Sequence, residues 1–218
     1  MPQTHTGSAG LVLAAGVGTR LGGGKLLLPW QNRPLIVHVV EKTLRMPNLL
    51  SVTVVLGHQA EKLQRCLETA FPAVSASPLR IVHNLRWEEG LSASLQCGIN
   101  ALLDSSEAAC LRNILVLLGD LPLVREDTLA LLCESHHKAC AGNPQHAATI
   151  PTYLGKRGNP VVLSRLIFPL LFTIKGDTGA RSLLATLAEN ALFLPVDDQG
   201  ILLDIDSPED YAALLVDP

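Results

Sequence analysis

Two kinds of apolar spacing alternate along the first two thirds of the chain. Short continuous apolar runs lie at 10–15, 51–56, 80–84 and 113–118, the pattern of strands buried on both faces. Between them the apolar positions spread to helical spacing at 34–46 after Pro34, at 59–70, and at 92–103, where Ser92 stands in position to cap the first turn. This order predicts a parallel sheet wound with helices on both faces. After a helix over 125–140 the spacing becomes less regular. Short strands are predicted at 147–153, 159–163 and 191–196, and helices at 164–171 and 178–189. The last element is sharply signalled by "SPEDYAALLV": Ser207 caps it, Pro208 takes the first helical position and Asp210 completes a capping box. No repeat, low-complexity tract or linker interrupts the pattern. One domain over 10–218 is therefore expected, preceded by a disordered tail at 1–9.

Composition supports a packed domain and narrows its partners. The 218 residues are 48% hydrophobic and 17% charged, enough apolar material for a sizeable core. A net charge of −3 is too mild to point to nucleic acid or a membrane surface. The opening "MPQTHTGSAG" has no targeting pattern, and no apolar run approaches the ~18 residues of a membrane span. A cytoplasmic location follows as the expectation. Five cysteines, an odd number, do not form a disulfide framework. Cys133, His136, His137 and Cys140 would share one helix face, but the outer two would lie about 10 Å apart along the axis. One tetrahedral zinc ion cannot take all four from such a row.

The candidate chemistry begins with "LVLAAGVGTRLGGGKLLLPW", in which five of twenty residues are glycine and the only charges are Arg20 and Lys25. It follows the first strand, at the carboxyl edge where open α/β sheets bind ligands. A P-loop would need glycine at position 19 and Ser or Thr after Lys25; the residues there are Thr19 and Leu26. The dinucleotide fingerprint fails too, because Leu21 stands where the third glycine belongs and Gly22 comes one residue late. What remains is a long glycine loop whose backbone N–H groups can wrap a polyphosphate, with Arg20 and Lys25 adding full charges. A second signal is "NILVLLGDLPLV". Its buried strand ends at Gly119-Asp120 and presents a carboxylate at the same sheet edge. Magnesium is commonly held by one or two carboxylates plus substrate phosphates, which suits Asp120 with a partner from "LLDIDSPED". Only one of Asp204 and Asp206 is expected to join Asp120.

In this order, "LAAGVGTRLGGGK", "GLSASL", "GDLPLV", "RGNPVVLSR", "GDTGAR" and "DIDSPEDY" resemble the MobA-like nucleotidyltransferase family, most nearly its molybdenum cofactor cytidylyltransferase branch. The likeness spans about residues 10–215. It implies a Rossmann-like nucleotidyltransferase fold, a mostly parallel sheet with helices on both faces. The implied reaction transfers CMP from CTP to the phosphate of molybdopterin and releases pyrophosphate, with Mg2+ as cofactor. A molybdenum hydroxylase apoenzyme is a candidate recipient of the product. By position, the resemblance implies that Leu13, Ala14, Ala15, Gly16 and Gly18 hold the nucleotide, with Arg20 and Lys25 on its triphosphate. Gly90, Ser92 and Ser94 would lie near base and ribose. Asp120 and Asp206 would hold the metal, and Asn159, Asp177, Gly179 and Arg181 would serve the acceptor. Two departures stand out: Gly22-Gly23-Gly24 replaces a Met-Gly segment, and Asn159 replaces a histidine frequent in that branch. Alternatives left open by the residues are GTP as donor, a sugar 1-phosphate or phospho-alcohol as acceptor, and a nucleotide-binding regulator without chemistry.

Overall fold

The computed structural model describes residues 7–72, 78–177 and 179–216. Most of the expected N-terminal tail, residues 1–6, lies outside them. The chain runs through β1 (Ser8–Ala14), the two-residue strands β2 (Pro29–Trp30) and β3 (Arg33–Pro34), α1 (Leu35–Leu44), β4 (Leu49–Leu56), α2 (Ala60–Ala70), β5 (Leu79–His83) and α3 (Leu91–Leu103). It continues through β6 (Asn113–Leu118), α4 (Glu126–Gly142), β7 (Ala148–Tyr153), β8 (Lys156–Arg157), β9 (Val161–Ser164), α5 (Phe168–Leu171), α6 (Arg181–Thr186), β10 (Ala191–Pro195) and α7 (Pro208–Val216).

The main sheet has the order β10-β7-β9-β6-β1-β4-β5, with β8 appended to β7. The chain steps from β1 to β4 on one side and reaches β6 on the other, both parallel to β1. The two neighbours of β1 thus lead away in opposite directions, which opens a crevice at its carboxyl end. Side-chain alternation along β1 serves two cores. Val12 and Ala14 pack with α1, α2 and α4, whereas Leu11 and Leu13 pack with α3, α5 and α6. Strands buried on both sides need continuous apolar runs, and that is what made them legible. Helix α3 lies close on the sheet: a Cβ on Gly98 would come within 2.3 Å of Leu11 Cδ1.

Several expectations need correction. Ser8 and Ala9 belong to β1 rather than to a tail. Strand β9 pairs antiparallel with both β6 and β7, so the sheet is mixed rather than wholly parallel, while remaining mostly parallel. The helix expected at 164–171 is a 3-10 turn at Arg165–Ile167 followed by the single turn of α5. The one expected at 178–189 shortens to α6 and a 3-10 turn at Ala188–Asn190. Ser92 does not cap α3. The cap position is Gly90, with φ +97°, and Ser92 sits inside the first turn. The capping box of α7 does form: Ser207 N–H donates to Asp210 Oδ2 at 2.8 Å, and Asp210 N–H donates to Ser207 Oγ at 3.1 Å.

His136 of α4 is structural. His136, only 1% exposed, meets Asn113 Oδ1 through Nε2 at 3.0 Å and Thr149 Oγ1 through Nδ1 at 3.1 Å. The amide oxygen can only accept, so Nε2 carries the proton and Nδ1 accepts from the Thr149 hydroxyl. His146 Nε2 lies 3.0 Å from the same hydroxyl oxygen and donates to it. Burial, with the nearby His146 and His137 rings, pushes the His136 pKa down to about 3 and keeps this ring neutral. Among the described residues, no three His, Cys, Asp or Glu side chains form a metal-binding group.

Candidate active site

The loop after β1 is shaped by glycine at two places. Gly22, Gly23 and Gly24 have φ values of +70°, +81° and +77°, a left-handed stretch that side chains with a Cβ rarely tolerate. This turn brings Lys25 back beneath the loop, where its stem crosses Gly18; a Cβ there would lie 2.8 Å from Lys25 Cγ. The loop is tied to its neighbour by the N–H of His58, which donates to Ala15 O at 3.0 Å.

Asp120 reaches the same place because β6 is hydrogen-bonded to β1 and ends one residue before Gly119. Asp206 arrives from the far end of the chain. The N–H of Ile205 donates to Asp120 O at 3.1 Å, and the N–H of Asp206 donates to Asp210 Oδ2 at 3.1 Å. The α7 capping box therefore also fixes Asp206. Between the two carboxylates lies the Lys25 ammonium, 2.6 Å from Asp120 Oδ2 and hydrogen-bonded to Asp206 Oδ1. Lys25 is 8% exposed. Burial alone would push its pKa down, but the Asp120 and Asp206 carboxylates overcome this and hold it above the ordinary lysine value. The hydrogen bond from Lys25 holds Asp206 below the usual carboxylate range. Arg20 is looser: NH1 is 3.9 Å from Asp206 Oδ2 and the side chain is largely exposed.

Asp204 corrects an expectation. Residues 203–206 do not form a strand, and two residues apart on an extended chain would share a face in any case; Asp204 and Asp206 both line the same cavity. Burial and the neighbouring charges of Asp206 and Asp120 push the Asp204 carboxyl upward. A divalent cation fits the donors present. Asp120 Oδ1 is buried without a hydrogen-bond partner, and two carboxylates leave the remaining positions to phosphate and water, as magnesium prefers.

These groups border a cavity of about 590 Å3. Leu13, Ala14, Ala15, Gly16, Gly18, Arg20, Lys25, Gly90, Ser94, Asp120 and Asp206 all line it. Ser92 does not: it is buried behind the wall, its N–H donates to Gly176 O at 3.0 Å, and its hydroxyl lacks a partner. Ser94 Oγ accepts from Asn84 Nδ2 at 3.1 Å. Trp87 and Glu88 also stand on the wall. The sequence reading passed over them; an aromatic residue in the polar stretch before α3 was the available signal.

A second cavity, about 630 Å3, adjoins the first through Leu13, Leu91, Leu118 and Asp177. It gathers all four residues expected on the acceptor side: Asn159, Asp177, Gly179 and Arg181. Its floor is aliphatic, with Leu95, Val116, Ile150, Val161, Leu163 and Leu184. Arg157, also missed, reaches its rim and stacks over Phe193, with 4.3 Å from guanidinium carbon to ring centroid. The wall shared by the cavities is tight: a Cβ on Gly90 would meet Asp177 Oδ1 at 2.5 Å. Among the described residues, no helix is long and apolar enough to cross a membrane.

Known proteins share this architecture. The chain is 30% identical over 208 residues to the nicotine blue oxidoreductase of Paenarthrobacter nicotinovorans, covering 94% of this chain and 95% of that one. It is 22% identical to the molybdenum cofactor cytidylyltransferase of Escherichia coli K12, covering 92% of each. The solved structure of Rv0371c from Mycobacterium tuberculosis superposes with a TM-score of 0.76 at 26% identity, over 99% of this chain and all of that one. Another structure of Rv0371c is a complex with manganese. A family model described as the MobA-like NTP transferase domain matches residues 10–191. With its α/β, Rossmann-like nucleotidyltransferase fold and its glycine loop at the end of β1, the chain belongs to the MobA-like NTP transferase family.

Proposed function

We propose that the protein transfers CMP from CTP to the phosphate of molybdopterin, giving a cytosine dinucleotide and pyrophosphate. The observation that supports this best is the convergence of Lys25, Asp120 and Asp206 beside a glycine loop, with a second cavity opening directly off the first. In this reading the loop from Ala14 to Gly18 holds the triphosphate by its backbone, and Lys25 and Arg20 face its phosphates. Asp120 and Asp206 hold Mg2+. When bound, the ion supplies Lewis-acid neutralisation of phosphate charge. Asn159, Asp177 and Arg181 orient the acceptor, Arg181 by paired hydrogen bonds to its phosphate. That phosphate is already an anion at neutral pH, so no residue has to act as general base. Lys25 meets the charge that grows on the departing pyrophosphate, and a localised ammonium suits it.

The choice of CTP rests on the E. coli relative and, more weakly, on Ala15. Its methyl narrows the space for a purine, an effect worth ~1–3 kcal/mol and therefore a preference rather than an exclusion. The experiment is pyrophosphate release with molybdopterin and all four triphosphates at equal concentration. CTP should win; a win for GTP would reassign the donor, and no release with any of them would reject molybdopterin as the acceptor. A second reading draws on the relative named an oxidoreductase and on the aliphatic floor of the second cavity, which suits a flat ring system. Reduction of an aromatic dye by a reduced nicotinamide dinucleotide, measured spectrophotometrically without triphosphate, separates it from the first.

A further inference from the structure

The position of Lys25 has a consequence for how a divalent cation enters. Its ammonium already bridges Asp120 and Asp206, the two carboxylates read above as metal ligands. It is buried there, and the charge it neutralises belongs to a group of three acids, Asp120, Asp204 and Asp206, on one cavity wall. The other nearby cation, Arg20, is exposed and 3.9 Å from Asp206, a much weaker counterion. A divalent ion entering this place alone would meet an adjacent positive charge and a carboxylate pair already engaged. The Lys25 stem lies against Gly18, on the loop that borders the same cavity. Phosphates held by that loop would offer the ammonium another anionic partner without a rearrangement of the backbone.

We propose that Lys25 is a resident cation that excludes free divalent metal until a nucleoside triphosphate draws it away. Binding is then ordered: metal is admitted with the triphosphate, and the carboxylate pair is never left bare. This rests on the reading of Asp120 and Asp206 as the metal ligands and adds the role of their occupant. Buried Asp120 Oδ1, without a partner, is the acceptor that the lysine leaves unsatisfied.

The test needs no turnover. Wild type, Lys25→Met and Lys25→Gln are titrated with Mn2+ alone, and free Mn2+ is followed by electron paramagnetic resonance. Both variants should bind Mn2+ at least tenfold more tightly than wild type in the absence of nucleotide. Adding Asp206→Asn to either should abolish the gain. Circular dichroism checks the fold of each variant, and the two substitutions guard against one that fails to fold. Mn2+ affinities equal to wild type, or weaker, would overturn the proposal while leaving the metal site standing. Absence of bound Mn2+ from every protein, with CTP present as well, would remove the metal reading and the proposal together.

Discussion

The two cavities differ in what they are made of. The first is built from loop backbone and from charged side chains of both signs, Arg20, Lys25, Asp120, Asp204 and Asp206. The second is built from the faces of β6, β7, β9, α3 and α6, with aliphatic side chains below and Arg157, Asn159, Asp177 and Arg181 at the rim. Charge placement in a shielded site acts on the transition state, whereas an apolar floor selects by shape. Under the proposed function, rate and acceptor choice should therefore be separable, and substitutions should divide accordingly.

The largest expected effect comes from Asp120→Asn, which removes an anionic group from the first cavity. Turnover should fall by roughly a hundredfold to a thousandfold, the scale of losing one electrostatic contact to the transition state. The KM for the acceptor should change little. A normal rate at saturating Mg2+ would break the comparison at its charged end. Arg181→Ala is the counterpart in the second cavity. It should raise the acceptor KM by roughly tenfold or more, the cost of a charged hydrogen bond, while the KM for CTP stays put. An equal rise in both would show that the cavities act as one.

Asp204→Asn sharpens the boundary within the first cavity. The carboxyl of Asp204 is pushed upward by burial and by Asp206 and Asp120, so removing its charge relieves repulsion. Melting temperature should rise slightly, and turnover should fall less than with Asp206→Asn, which loses the negative charge that pairs with Lys25. The smallest expected effect on turnover lies outside both cavities, at His136, where the change is in stability. Its pKa is about 3 in the folded protein against 6.5 ordinarily. Between these values the unfolded chain binds a proton that the folded chain refuses. The stabilisation is therefore complete above pH 6.5 and fades as pH falls towards 3, by at most ~1.4 kcal/mol per pH unit. Denaturant titrations from pH 7 to 4 should show a shallower decline for His136→Gln.

How much was legible in the sequence follows the same division. The strands of the sheet centre were readable because burial on both faces demands unbroken apolar runs, as at Asn113–Leu118. The α7 cap was readable because a capping box is local chemistry. Lys25 and Asp120 could be singled out because a cation in a glycine loop and a carboxylate at the end of a buried strand fall at the same sheet edge, where phosphate and metal would need them. Asp204 was misplaced, since residues two apart share one face of an extended chain, and both Asp204 and Asp206 line the first cavity. Ser92 was misread for a tertiary reason: the 176–177 segment approaches so closely that only glycine fits at position 90. The floor of the second cavity was invisible, because Leu95, Val116 and Leu163 look the same in sequence whether they pack on a helix or on a ligand.

The reversed strand β9 has a consequence of another kind. Its start, not its end, faces the edge where β6 delivers Gly119 and Asp120. The hairpin of β7 and β8 rises above that edge, turning at Leu154 and Gly155, and its descending limb carries Arg157, Gly158 and Asn159 to the second cavity. The residues proposed to serve the acceptor thus arrive on an excursion that leaves and rejoins the sheet. The tip residue Leu154 is 85% exposed, so the hairpin could be lengthened, shortened or exchanged without disturbing β1, β4 or β6. A lineage carrying this arrangement could change what it modifies by altering one protruding segment while its phosphate chemistry stayed fixed.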